Sequence, residues 1–376
     1  MKIGIITIHN SPNYGASLQA FALWKYITDC GHECEIIDLH RPHQTDYVPS
    51  KKYKACRYNK NTFKIKIKKQ VFRLLGMQPH RYLTDEARKK FDAFNSLIRL
   101  SRPFLGVDEL YSNPPQYDVY ITGSDQLWNP TQPFCIEPYF LTFVPKGKRK
   151  ISYSSSIGIT ELTEKEKSLF RNALIQYDAI SVRETQARQL LQNLIDSKIK
   201  QVADPTFLLP LETWKSISVK PNLSEKYLLL FTLGFNKQLM EYTIRLGNQS
   251  GMRIVYLTGV QPGDNGQYKA VVDAGPREWI GYIANAEMVI TDSFHGSVFS
   301  IIMGTNNFFT YISPSNQRGS RITDLLETFG LTDHLLKQEL HQTYSELSAI
   351  EVNHEQVAEI IQKERERSQY FLIRNL

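Results

Sequence analysis

Met288-Val289-Ile290-Thr291-Asp292-Ser293-Phe294-His295-Gly296-Ser297-Val298-Phe299-Ser300 changes its period halfway along. Met288 to Ile290 is an unbroken apolar run with two β-branched members, the pattern of a buried strand. Val298, Ile301 and Ile302 then recur at helical spacing. Between them stand Thr291, Asp292 and Ser293, all good helix N-caps. A strand entering a helix through a short polar turn forms the ligand-binding corner of an open α/β sheet. Unpaired amides and the helix dipole favour an anion there. His295 falls in the first turn of that helix, placed to donate a proton to such an anion. An ordinary crossover with a surface or capping histidine has the same pattern, so the rest of the chain has to decide.

The rest alternates in the same way. Lys2–Ile8, Cys34–Leu39, Asp118–Thr122, Ile151–Ser155, Ala179–Val182 and Gln201–Asp204 read as strands of a first half. Tyr227–Leu233, Arg253–Thr258, Met288–Thr291 and Phe308–Ile312 read as strands of a second. Helical periods separate them, from Gly15–Cys30 onward. At 376 residues the chain is too long for one ordinary core. The expected fold is α/β, with two Rossmann-like doubly wound domains facing a cleft. The first occupies 1–210 with a basic insertion at 41–82, and the second 211–345. A charged helix within 346–376 packs back.

Several strand ends carry chemistry. Asn13 and Gly15 follow the first strand, where they suit either ligand contact or turn formation. Gly123-Ser124-Asp125-Gln126-Leu127-Trp128-Asn129 follows the third; Trp128 suits either a sugar face or a core anchor. Arg183 ends another strand with a permanently charged fork, or else pairs with Glu184. The loop from Ser313 to Arg321 carries Arg318 and Arg321, a candidate anion clamp.

The net charge of +7 is local. Lys51 to Arg73 holds ten basic residues and no acidic one, and the remainder carries 35 basic against 38 acidic. That segment suits an anionic membrane surface, at about 1 kcal/mol per basic residue near the headgroups, or a solvated insertion with no partner. Nothing else in the chain resembles a nucleic-acid module, so no nucleic acid is expected. Cys30, Cys34, Cys56 and Cys135 form no CxxC pair and no metal cluster, and read as free thiols of a reducing compartment. No run reaches transmembrane length, and Ile3–Ile8 is too short for a signal peptide. A cytoplasmic protein is expected, with the basic segment a candidate for peripheral attachment to the cytoplasmic membrane face.

Six pieces then resemble, in order, the motifs of the polysaccharide pyruvyl transferase family. They are Asn13-Tyr14-Gly15-Ala16, Gly123 to Asn129, Ser181-Val182-Arg183-Glu184, Ala203-Asp204-Pro205-Thr206, Gly275-Pro276 and Thr291 to Gly296. The two-domain architecture is similar to the GT-B arrangement of glycosyltransferases. The resemblance departs at Ser293, where some relatives carry Arg two residues before the motif His.

The resemblance implies transfer of pyruvate from phosphoenolpyruvate onto two hydroxyls of a sugar in a capsule- or exopolysaccharide-type polymer, or its lipid-linked precursor. A pyruvate ketal and phosphate result. His295 is the expected acid, with Asp125 or Asp292 as base. Arg183, Arg318, Arg321, Ser293, Gly296 and Ser297 are expected at phosphoenolpyruvate. Asn13, Tyr14, Gly15, Gly123, Ser124, Trp128 and Asn129 are expected on the acceptor side. No metal and no cofactor is called for beyond phosphoenolpyruvate as donor substrate. Two other readings remain, a GT-B glycosyltransferase using a nucleotide sugar and a non-catalytic glycan-binding relative.

Overall fold

In the computed structural model, residues 1–57, 84–258, 266–314 and 319–376 are described. Two parallel sheets organise them. The first is built from β1 (Lys2–Ile6), β2 (Glu33–Ile36), β3 (Val119–Thr122) and β4 (Arg149–Ser152) in the order β2-β1-β3-β4. β5 (Ile180–Val182) and β6 (Ile199–Gln201) pair with each other. They continue the first sheet through single bridges, Ile151 to Ala179 and Ser155 to Val182. At that junction serines stand in for a regular ladder. Ser181 N donates to Ser152 Oγ at 3.0 Å, and Ser181 Oγ donates to Ser152 O at 2.8 Å. Both serines are fully buried, so each hydroxyl has to find a partner inside the protein.

The second sheet holds β7 (Tyr227–Phe231), β8 (Arg253–Leu257), β9 (Lys269–Val271), β10 (Met288–Thr291) and β11 (Phe308–Thr310), ordered β11-β10-β7-β8-β9. β3, β7 and β10 are buried along their whole length. Helices on both faces of a parallel sheet cause that, and the continuous apolar runs of the sequence follow from it. β9 is absent from the sequence reading: three residues at a sheet edge are too short to show a period.

The connections are α1 (Tyr14–Asp29), α2 (Asp85–Asn95), α3 (Val107–Ser112), α4 (Glu164–Leu174), α5 (Thr185–Gln192) and α6 (Leu211–Ile217). They continue with α7 (Lys237–Ser250), α8 (Pro276–Ala284), α9 (Phe294–Met303), α10 (Ser320–Thr328), α11 (Tyr344–Ser348) and α12 (His354–Asn375). The starts are capped as their sequences imply. Asn13 Oδ1 accepts from Ala16 N at 3.1 Å, and Thr163 with Glu166 closes a capping box at α4. Gly304, at φ 70°, ends α9 in the left-handed region that glycine tolerates.

α12 crosses back to the loop after β6. Arg365 Nε donates to Phe207 O at 2.9 Å, and Ala203 N donates to Ser368 Oγ at 3.0 Å. Among the described residues, no helix is long and apolar enough to cross a membrane.

The largest apolar cluster runs through both halves. It joins Ile3, Leu18 and Phe21 to Leu229, Val289 and Phe299. Trp214 of α6 is its keystone, with Phe21 at 6.1 Å and Phe299 at 4.9 Å between ring centroids. α2 adds a clasp on the outside: Thr84 Oγ1 donates to Val272 O at 3.3 Å, and Lys90 Nζ donates to Asp273 O at 2.9 Å.

Candidate active site

The carboxyl ends of β3, β5, β6 and β10 and the start of α1 converge on one point. Arg183, just past β5, lies at the centre and is buried. Its Nη1 donates to Asp204 Oδ2 at 2.7 Å and to Ser124 Oγ at 3.4 Å. Its Nη2 stands 3.6 Å from Asp125 Oδ1, and its Nε 4.0 Å from Glu184 Oε2. Neither Nε nor Nη2 has a hydrogen-bond partner. Burial by itself lowers the Arg183 pKa, but Asp204, Asp125 and Glu184 outweigh it and raise the pKa, so the guanidinium stays charged.

Asp204 is the hub. The opposite carboxylate oxygen, Oδ1, accepts from Thr206 N at 3.1 Å and Thr206 Oγ1 at 2.8 Å. His295 Nε2 stands 3.5 Å from Oδ2, at ion-pair distance but not aligned as a hydrogen bond. Burial alone would raise the Asp204 pKa. His295 and Arg183 overcome that and hold its carboxyl well below the usual range. Asp125 behaves alike: burial raises it, while Arg183, His295 and Arg321 bring it down. Its backbone takes φ 76°, a left-handed turn in which Asp125 O accepts from Leu127 N and Ser156 N.

The imidazole is seated from the other half. A Cβ at Gly15 would overlap the His295 ring, so the first turn of α1 comes this close only as glycine. Phe294 supplies a ring shared by two cations, with Arg183 Cζ 4.4 Å and Arg321 Cζ 5.4 Å from its centroid. Arg321 is brought there by α10 docking on the start of α5, where Thr185 N donates to Asp324 Oδ2 at 2.6 Å.

His295, Asp125, Arg183, Arg321 and Gly15 therefore meet in one place. Arg318 lies outside the described residues. The other expected site residues have different tasks. Asp292 Oδ1 accepts from Leu233 N at 2.8 Å and ties the loop after β7 to that after β10. Ser293 Oγ caps α9 by accepting from Gly296 N at 3.3 Å, and Ser297 Oγ bonds Thr310 Oγ1 at 2.6 Å. These hydroxyls and this amide are committed within the fold.

Trp128 requires a correction. It is wholly buried, stacked on Phe140 at 5.2 Å, and its Nε1 donates to Tyr139 O at 2.8 Å, which leaves no ring face for a sugar. Asn129, equally buried, binds Gln126 Oε1 and Thr131 N. Gly123 gives room to Thr7, and Ser124 Oγ donates to Ser154 O at 2.8 Å. Asn13 caps α1, and Tyr14 stacks on Trp279 at 5.4 Å while its OH donates to Ala274 O at 3.0 Å. These residues are committed to packing and hydrogen bonds within the fold.

Sequence reading passed over Asp204, Phe294 and Arg41 as site residues. Asp204 stood in a quoted motif at a strand end, but a carboxylate before proline reads equally well as a cap. Arg41 had none, being one cation at the edge of the basic insertion. It is buried, donates from Nη2 to Asn10 Oδ1 at 3.0 Å, and lies in the field of Asp125. The basic run is partly tied down as well. Arg57 Nε donates to Glu166 Oε1 at 2.7 Å, and Tyr53 stacks on Tyr111 at 4.3 Å; residues 58–73 lie outside the described residues. Among the described residues, no group of three or more His, Cys, Asp or Glu is placed to hold a metal.

Solved structures similar to this chain are of low identity to it. UDP-GlcNAc 2-epimerase from Methanocaldococcus jannaschii is 12% identical over 96% of this chain and 92% of that one, with a TM-score of 0.46. UGT89C1 of Arabidopsis thaliana, complexed with UDP-L-rhamnose, is 13% identical over 98% and 94%, at 0.47. CalG4, the calicheamicin glycosyltransferase, gives the same 13%, 98%, 94% and 0.47. No curated protein matches the chain. The family model for polysaccharide pyruvyl transferase matches residues 13–314, a span that takes in Gly15, Asp125, Arg183, Asp204 and His295 together. The chain belongs to the polysaccharide pyruvyl transferase family.

Proposed function

We propose that the protein transfers pyruvate from phosphoenolpyruvate to two hydroxyls of a sugar in a surface polysaccharide or its lipid-linked precursor. The observation that carries this is the pair of unused donors on Arg183, buried beside an imidazole with an unaligned Nε2. Buried donors without partners are rare, and an anion satisfies them with strong charge-assisted bonds. Phosphoenolpyruvate brings a phosphate and a carboxylate, and Arg183 and Arg321 flank one ring where both can be met.

The chemistry balances with these groups. His295 gives a proton to the methylene carbon of the enol phosphate, which becomes the methyl group. One sugar hydroxyl adds to the central carbon as Asp125 takes its proton. The bond from that carbon to the phosphate oxygen breaks, and phosphate leaves. The second hydroxyl adds to the same carbon and closes the ketal as its proton passes to His295, which restores the acid, while the proton held by Asp125 goes to the departing phosphate. Asp125 is preferred to Asp292 as base because it faces Arg183 and His295, while Asp292 holds Leu233 N.

The test is phosphate release from phosphoenolpyruvate with galactose-, mannose- and glucosamine-containing acceptors, lipid-linked ones included. Acceptor-dependent release is expected. Calorimetry that shows a nucleoside diphosphate binding where phosphoenolpyruvate does not would replace this reading with nucleotide-sugar glycosyl transfer.

Attachment to an anionic membrane through residues 51–73 belongs to the same proposal, supported by ten basic residues without an acidic one. Deleting 51–69 should abolish co-sedimentation with phosphatidylglycerol vesicles; unchanged sedimentation would remove the membrane from the account.

A further inference from the structure

Arg41, which follows β2, is only 7% exposed, and the fold gives its charge no counterpart. Its Nη2 donates to the neutral Asn10 Oδ1 at 3.0 Å, and its Cζ lies 5.5 Å from the centroid of Phe134. Nε and Nη1 make no hydrogen bond among the described residues, and neither is sealed from solvent. Among the described residues no carboxylate pairs with Arg41, whereas three surround Arg183. Burial lowers the Arg41 pKa, and the fields of Tyr139 and Asp125 only partly oppose that. A guanidinium keeps its charge at any working pH, and a buried arginine is almost always paired. The side chain is nonetheless held in place from behind. Gln44 Oε1 accepts from Arg41 N at 2.8 Å and from Asn10 Nδ2 at 2.9 Å, so Asn10 cannot drift from the guanidinium. A fixed cation with reachable donors suits an anion.

The sheet order says whose anion. Arg41 follows β2, Asp125 follows β3 and Arg183 follows β5, in a sheet that runs β2-β1-β3-β4 and continues through single bridges to β5. Arg41 and Arg183 therefore stand on opposite sides of Asp125 along the row of strand ends. The Arg183 side already has two cations around Phe294, enough for the phosphate and the carboxylate of phosphoenolpyruvate. The third cation lies in the field of Asp125 from the side left to the acceptor. A sugar that gives its hydroxyl proton to Asp125 thus turns its far edge to Arg41.

We infer that Arg41 binds a carboxylate carried by the reacting sugar, so that the acceptor is a uronic acid. This rests on the pyruvyl-transfer reading for the allotment of Arg183 and Arg321 to the donor. A uronic acid has no hydroxyl at carbon 6, so its ketal closes on two neighbouring ring hydroxyls. The carboxylate site can be tested without phosphoenolpyruvate. Saturation-transfer NMR would compare methyl glucuronide and methyl galacturonide with methyl glucoside and methyl galactoside. At least one uronide is expected to bind roughly tenfold tighter than its neutral counterpart, the worth of one hydrogen bond to a charged group. Arg41→Gln should erase that preference and Arg41→Lys should keep part of it, with the affinity for phosphoenolpyruvate unchanged in both. A thermal melt of each variant reports folding. The inference is overturned if neither uronide binds better than its neutral counterpart, or if the preference survives in folded Arg41→Gln. It is overturned as well if Arg41→Gln weakens phosphoenolpyruvate binding instead, which would assign Arg41 to the donor. A uronide preference that depends on Arg41, without phosphate release from any acceptor in the transfer assay, would leave the carboxylate site standing and remove the reaction.

Discussion

Replacing His295 with glutamine is expected to lower acceptor-dependent phosphate release by roughly 10²–10⁴-fold, the usual worth of a positioned acid. Glutamine keeps a polar side chain of similar reach but cannot deliver a proton, so binding of phosphoenolpyruvate should persist while turnover collapses. Gly15→Ala offers the same test without replacing the histidine. Alanine is the better helix former by up to about 1 kcal/mol, so α1 itself gains from the change. What suffers is the seat of the ring, because the new Cβ overlaps it. The imidazole has to swing away from Asp204, and turnover should fall by a large part of the His295→Gln loss with little change in melting temperature. Turnover of both variants within about threefold of wild type would show that no acid acts from this position.

Asp204→Asn is expected to cost about 3–5 kcal/mol, because it leaves the Arg183 guanidinium buried opposite an uncharged amide. The melting temperature should fall by roughly 4–6 °C at neutral pH. The pH dependence identifies the cause. The folded-state pKa of Asp204 lies below its unfolded value near 4. A depressed carboxylate contributes stability that is present above the unfolded value and lost as pH falls through the folded one. The gap between wild type and Asp204→Asn should therefore narrow in melts taken below about pH 4. A gap that stays constant down to the acid limit would mean that packing, not charge, holds Asp204 in place.

The alternation of strands and helices was legible because parallel strands buried on both faces leave continuous apolar runs, as in Tyr227–Phe231 and Met288–Thr291. Gly15, Asp125, Arg183 and His295 were legible because each ends a strand or opens a helix, where side chains face a cleft. Trp128 was not, since an aromatic beside a polar turn looks the same whether it meets a sugar or Phe140. Nor was the role of Asp204: a carboxylate before proline reads as a cap until folding brings Arg183 and His295 to its Oδ2.

The apolar cluster that passes from Ile3 through Trp214 to Phe299 leaves the chain without a seam. Proteins whose halves meet across a thin polar boundary can trade one half for another over evolutionary time and acquire a new acceptor whole. Here the residue that seats the imidazole comes from one half and the imidazole from the other, and a common interior stands behind both. Such a molecule has no half that can be exchanged without rebuilding the interior behind it, and it is expected to unfold as a unit when that interior is breached.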